Sequence, residues 1–173
     1  MFFSKIGGSK LMDKKEKKYT IQQAIPKIEY FCSYQERCHH EVKSKLYDFG
    51  LNTDEVNEVL ARLVKANFLN EERFAIAFTI GKFRQKKWGL NKIIFQLKSK
   101  NVSDFCIKKA LTYIVDDDYD ETIAQLAEKY FKKLKSSDKI FVRQQKVIQF
   151  LMSKGYEYEK CKIVVKKFSN EQS

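Results

Sequence analysis

Residues 93–114, Ile93-Ile94-Phe95-Gln96-Leu97-Lys98-Ser99-Lys100-Asn101-Val102-Ser103-Asp104-Phe105-Cys106-Ile107-Lys108-Lys109-Ala110-Leu111-Thr112-Tyr113-Ile114, have two counterparts in the same chain. Leu97 can be set in register with Leu46, 51 residues earlier, and with Leu151, 54 residues later. Val42, Ile93 and Val147 then fall together four residues before, and Gly50, Asn101 and Gly155 four residues after. Gly and Asn both tolerate positive φ, so a left-handed helix end is expected at those three positions. Leu51, Val102 and Tyr156 follow, then Val56, Ile107 and Cys161, then Val59, Ala110 and Val164. Leu60, Leu111 and Val165 come next, and Leu63, Ile114 and Phe168 close the set. Eight matched positions at a period near 50 residues indicate tandem repeats, each long enough for three short helices. The expected fold is all-α: three tandem three-helix repeats forming an elongated, curved array. Residues 1–18 form a basic arm, 19–68 the first repeat, 69–115 the second and 116–173 the third.

Within the first repeat, Ser33 or a neighbour is expected to cap a helix whose face carries Tyr34, Cys38, Val42 and Leu46, and Thr53 to cap the next. The first helix of each repeat is less alike; the candidates are 19–31, 70–88 and 120–135. On a helical wheel of the middle one, Phe74, Ala77, Phe78, Gly81, Gln85 and Trp88 form one apolar stripe. Ile76, Ile80 and Phe83 form a second, and Ala75, Thr79, Lys82 and Lys86 lie on a wet strip between them. Two apolar faces predict packing against both its own repeat and a neighbour. Gly81 in mid-helix costs about 1 kcal/mol relative to Ala, for which a close helix approach is the expected return.

Charge is focused in the same region. Residues 69–115 carry ten Lys/Arg against three Asp/Glu, a net +7 of the chain's +12, and no carboxylate stands between Arg73 and Ser103. Lys82, Arg84, Lys86, Lys87, Lys92, Lys98 and Lys100 come from two consecutive helices, and Lys108 and Lys109 from a third. Such segregation points to an anionic partner rather than to a mixed, solvated face. Trp88, the only Trp, is read as packing at a turn.

One Pro and six Gly in 173 residues exclude an all-β fold, and no apolar run reaches the roughly 20 residues of a membrane span. Met1-Phe2-Phe3 is too short for a signal-peptide core, so the four cysteines read as thiols of a cytoplasmic protein; translation could also start at Met12. No catalytic, metal or cofactor site assembles. Cys32-x5-Cys38-His39 lacks zinc-ligand spacing, Cys106 and Cys161 fall in helical apolar stripes, and no glycine pair fits a phosphate loop. The acidic run Asp116-Asp117-Asp118 with Asp120-Glu121 suits a helix start, where carboxylates meet the dipole.

These segments resemble the RecX family, the regulatory proteins of bacterial RecA recombinase. Glu41-Val42-Lys43-Ser44-Lys45-Leu46 with Gly50-Leu51 is similar to one family block. Phe68-Leu69-Asn70-Glu71-Glu72-Arg73-Phe74-Ala75, continuing through Lys82, Lys87-Trp88-Gly89, Ile93 and Gln96-Leu97-Lys98-Ser99-Lys100, is similar to the next. Asn101, Cys38 and Gln96 depart from the usual Gly, Ser and Glu. The resemblance implies a monomeric, non-enzymatic regulator without cofactor, active in DNA recombination, repair and the SOS response. It would bind along the groove of the RecA filament on single-stranded DNA and limit filament growth, ATP hydrolysis and strand exchange. The nine basic residues above would meet DNA phosphate or acidic recombinase surface. The competing reading is a stand-alone nucleic-acid-binding protein, since the last two helices of each repeat could pass for a helix-turn-helix.

Overall fold

Gly50, Asn101 and Gly155 all have positive φ, at 83°, 59° and 95°. Each follows a helix, and at each the next amide reaches back five residues: Leu51 N to Leu46 O, Val102 N to Leu97 O and Tyr156 N to Leu151 O, at 3.2–3.3 Å. The same left-handed stop therefore ends the middle helix of every repeat. The structure, a computed structural model, describes residues 19–135 and 137–167. The basic arm 1–18, the alternative start at Met12, and Phe168 of the register lie outside the described residues.

Nine helices and no strand are found among the described residues. They are α1 (Ile21–Tyr34), α2 (His39–Asp48), α3 (Thr53–Lys65), α4 (Glu71–Lys86), α5 (Leu90–Ser99), α6 (Asp104–Leu111), α7 (Asp116–Phe131), α8 (Ile140–Lys154) and α9 (Tyr158–Lys166). None is long and apolar enough to cross a membrane. Local chemistry sets the starts. Asn52 caps α3 while Glu55 accepts from the Asn52 N–H, and Asn70 and Ser103 cap α4 and α6. Asp116, Asp117 and Asp118 form the first turn of α7, so this helix begins four residues before the expected 120. Ser33 is not a cap: α1 continues through it to Tyr34, whose ring is 76% exposed, and α2 starts only after Cys38. Thr53 is the first residue of α3, behind the Asn52 cap.

The matched apolar positions of the middle helices are core. Val42, Ile93, Val147, Leu46, Leu97 and Leu151 are fully buried. The first helices follow the same rule, in a face the wheel misassigned. Ala75 and Thr79, expected on the wet strip, are fully buried with Phe83, whereas Ala77 is exposed. Small side chains face inward here because α4 packs most extensively on α6, where Ala110 is also fully buried. Ala24, Ile28 and Cys32 stand 51 residues earlier and are buried likewise, and Tyr119, Ile123 and Ala127 do the same in α7. Gly81 serves no close approach, since a Cβ there would meet nothing within 4 Å.

Two cores result. One lies under α1–α3. The other runs continuously through α4–α9 and takes in Cys38 from the α1–α2 connection. The continuous core is pinned where Gly89 and Gly155 meet: Gly89 N donates to Lys154 O at 2.9 Å, and Asn91 N to Gly155 O at 3.1 Å. A Cβ on Gly155 would fall 2.3 Å from Lys92 Cβ. Gly155→Ala should therefore lower stability by about 2–4 kcal/mol, from overpacking plus left-handed strain. Gly81→Ala should raise it by about 0.5–1 kcal/mol. Denaturant melts of the two variants check both signs.

Candidate functional site

The nine cations singled out above divide into three groups. Arg84 and Lys86 in the last turn of α4, Lys87 just beyond it, and Lys108 on α6 are exposed and form no ion pair with any described residue. The helix dipole favours Arg84 and Lys86 in the last turn of α4 and Lys108 in the last turn of α6. Lys87 ends the helix at φ 52°, and its carbonyl accepts from Tyr156 Oη at 3.3 Å. That bond holds the turn against the third repeat.

Lys82 and Lys92 hold Trp88. Their ammonium groups lie 5.4 and 5.2 Å from its ring centroid, and Lys92 also donates to Ser153 O at 3.0 Å. Trp88 itself is half-buried against the continuous core. The last group is engaged inside the protein: Lys98 with Asp104 at 3.2 Å, Lys109 with Glu72 at 2.8 Å, and Lys100 with Glu41 at 2.8 Å. The nine do not make one uniform patch.

Lys100 belongs to a joint between the first two repeats. Its ammonium is 6.0 Å from the rings of Phe74 and Phe78, and Glu41 also accepts from the Cys38 N–H at 3.2 Å. Beside it Arg73 donates to Glu36 at 2.8 Å and to Asn67 Oδ1 at 2.7 Å. Between the two bridges lies a groove of about 320 Å³, floored by Phe74, Ala77, Phe78 and Gly81. The α4 stripe thus faces a neighbouring repeat, as its pattern predicted, but across an open groove. Glu36 and Glu41 were not among the expected site residues. Neither were Phe95 and Phe105, which are 67% and 71% exposed. The register could have found these two, because the other repeats carry Ser44 and Asp54, or Gln149 and Glu159, at those places.

The remaining chemistry is quiet. All four cysteines are buried, and burial pushes the Cys32 and Cys161 thiols up to about 11, so they stay protonated at neutral pH. His39 and His40 are exposed in the first turn of α2, and among the described residues no three His, Cys, Asp or Glu side chains converge on a metal position.

The family model for the second three-helix domain of RecX matches residues 70–111, and the model for the third matches residues 116–165. The chain belongs to the RecX family. A regulatory protein RecX of Clostridium perfringens (strain 13 / Type A) is 34% identical over 134 residues, covering 76% of this chain and 62% of that protein. One from Lactococcus lactis subsp. lactis (strain IL1403) is 30% identical over 144 residues, covering 82% and 53%. The chain therefore spans only about half to three fifths of the length of these curated relatives. The crystal structure of RecX from Lactobacillus salivarius superposes with a TM-score of 0.77 at 24% identity, covering 86% of this chain and 96% of that one. At that identity the likeness speaks for the fold alone.

Burial pushes the Glu41 carboxyl up, but the Lys100 ammonium and the Cys38 N–H outweigh it and hold the pKa below the usual 4.5. A depressed carboxylate pKa stabilises the folded state above its unfolded value and loses that effect as pH falls through the folded one. Glu41→Gln should cost about 1 kcal/mol at neutral pH, roughly 2–4 °C in Tm. Its Tm should also fall less than the parent's as pH drops below 4.5. Thermal melts across that range measure both effects.

Proposed function

We propose that this chain is a regulator that binds the RecA filament on single-stranded DNA and lowers its ATPase rate, growth and strand exchange. The observation that carries the reading is membership of a family whose named members are regulatory proteins. The surface chemistry supports it. Arg84, Lys86, Lys87 and Lys108 are exposed cations without an ion-pair partner among the described residues, and a nucleoprotein filament offers phosphates and acidic side chains to receive them. Lys98, Lys100 and Lys109 are already neutralised within the protein, so they contribute less to such contact. Regulation then works by occupancy: a bound array bridges protomers in the filament groove and opposes the changes that hydrolysis and growth require. The protein acts as a monomer in the cytoplasm.

Steady-state ATPase of RecA on single-stranded DNA, titrated with this protein, tests the reading. The rate should fall with added protein, and a fall at substoichiometric ratios marks capping rather than coating. The Arg84→Glu/Lys86→Glu variant should lose about tenfold or more in potency while its Tm stays within about 2 °C of the parent's. An unchanged ATPase rate would remove the proposed function. Full inhibition by the variant would remove the assigned surface. Tight, sequence-selective DNA binding without recombinase would favour the stand-alone nucleic-acid reading instead.

A further inference from the structure

Departures from the repeat register mark side chains that the fold does not require. In the third repeat Tyr130 on α7 and Phe150 on α8 stack face to face, with centroids 4.1 Å apart and planes 6° from parallel. The corresponding residues are Lys86 and Gln96 in the second repeat, and Gln35 and Lys45 in the first. A repeat can thus be built without this pair. The rings floor a cleft of about 290 Å³ between α7 and α8, lined by Leu126, Lys129, Tyr130, Lys133 and Phe150. Lys154 lies over the Phe150 ring at 5.8 Å. Lys129 and Lys133 are exposed, and none of the three lysines is ion-paired with a described residue. The cleft therefore combines an apolar floor with a cationic rim that no described residue neutralises.

We propose that this cleft docks an acidic segment of a protein partner. An apolar side chain of the segment enters between Leu126, Tyr130 and Phe150, and flanking carboxylates meet Lys129, Lys133 and Lys154. Charge complementarity selects the acidic partner. Ring geometry selects a protein over a nucleic acid: Tyr130 covers one face of Phe150 and Lys154 lies over the ring, so no run of open ring faces remains for successive bases. A single apolar anchor set among charges matches how short segments bind clefts. The site stands apart from the cations of the second repeat and does not depend on the proposed function.

Fluorescence anisotropy with the full chain tests it. The probe is a labelled dodecapeptide of Asp and Glu residues carrying one central Leu-Phe pair. The controls are the same peptide with Asn and Gln in place of the acids, and a twelve-nucleotide oligothymidine. The acidic peptide should bind saturably. Lys129→Glu/Lys133→Glu should weaken that binding by about tenfold or more, whereas Arg84→Glu/Lys86→Glu should leave it unchanged. Amide shifts on binding should centre on Leu126, Tyr130 and Phe150. Any of three results overturns the proposal: no saturation at millimolar peptide, equal binding of the amide peptide, or displacement of the acidic peptide from these residues by the oligonucleotide. The amide-peptide comparison uses the unmodified protein, so it holds even if a variant fails to fold.

Discussion

The contact between Gly89 and Gly155 is the constraint on which the α4–α9 half of the molecule depends. Backbone meets backbone there: a Cβ on Gly89 would fall 2.4 Å from the Gly155 carbonyl carbon and oxygen. Only that closeness lets Gly89 donate to Lys154 O and Asn91 to Gly155 O. The start of α5 is thereby fastened to the end of α8. Tyr119 completes the joint. Its hydroxyl accepts from Leu90 N at 3.1 Å, satisfying one of the free amides of the α5 first turn, and donates to Glu157 at 2.7 Å. Its ring packs between Phe83 and Tyr156, and burial drives both tyrosine hydroxyls well above their ordinary pKa, so they remain hydrogen-bond donors at any working pH. The second and third repeats share one core because the backbone closes between them.

The first repeat is attached differently. It has a core of its own, and besides Cys38, which enters the continuous core, it is linked to the second repeat by the Arg73–Glu36 and Lys100–Glu41 bridges around an open groove. Partly exposed pairs of this kind contribute about 0–1 kcal/mol each and weaken with salt and acid. The molecule is thus unequal along its length, fused by extensive packing at one joint and joined at the other by Cys38 and two ion pairs. Arg84, Lys86 and Lys87 project from the fused part, close to Gly89. A cationic surface on a rigid support keeps its geometry when it meets a partner, and less ordering entropy is lost on binding.

The repeat architecture was legible because burial and turn geometry leave a periodic trace. Matching Leu46, Leu97 and Leu151 located the core of every middle helix, and Gly50, Asn101 and Gly155 located the left-handed stops. The first helices were not legible from hydrophobicity alone. Where α4 and α6 come closest the interface selects small side chains, so Ala75 and Thr79 are core while the bulkier Phe78 lines a groove. Carrying the 51-residue register back to Ala24 and Ile28 would have shown this. Gly81 misled for the complementary reason: a glycine in a helix signals a close approach only where something approaches. The nine cations could be counted in the sequence but not sorted, since pairing depends on Glu41, Glu72 and Asp104 coming within reach. All three acids lie outside the carboxylate-free stretch, Glu41 on α2, Glu72 at the start of α4 and Asp104 at the start of α6.

Native-state hydrogen exchange measures most directly whether α4–α9 are one unit and α1–α3 another. If they are, core amides of α4, α5, α7 and α8 share one opening free energy, while those of α1–α3 open at a lower one that falls further at high salt. Separate opening of α4–α6 and α7–α9, with no common limit across the Gly89–Gly155 joint, would contradict this division.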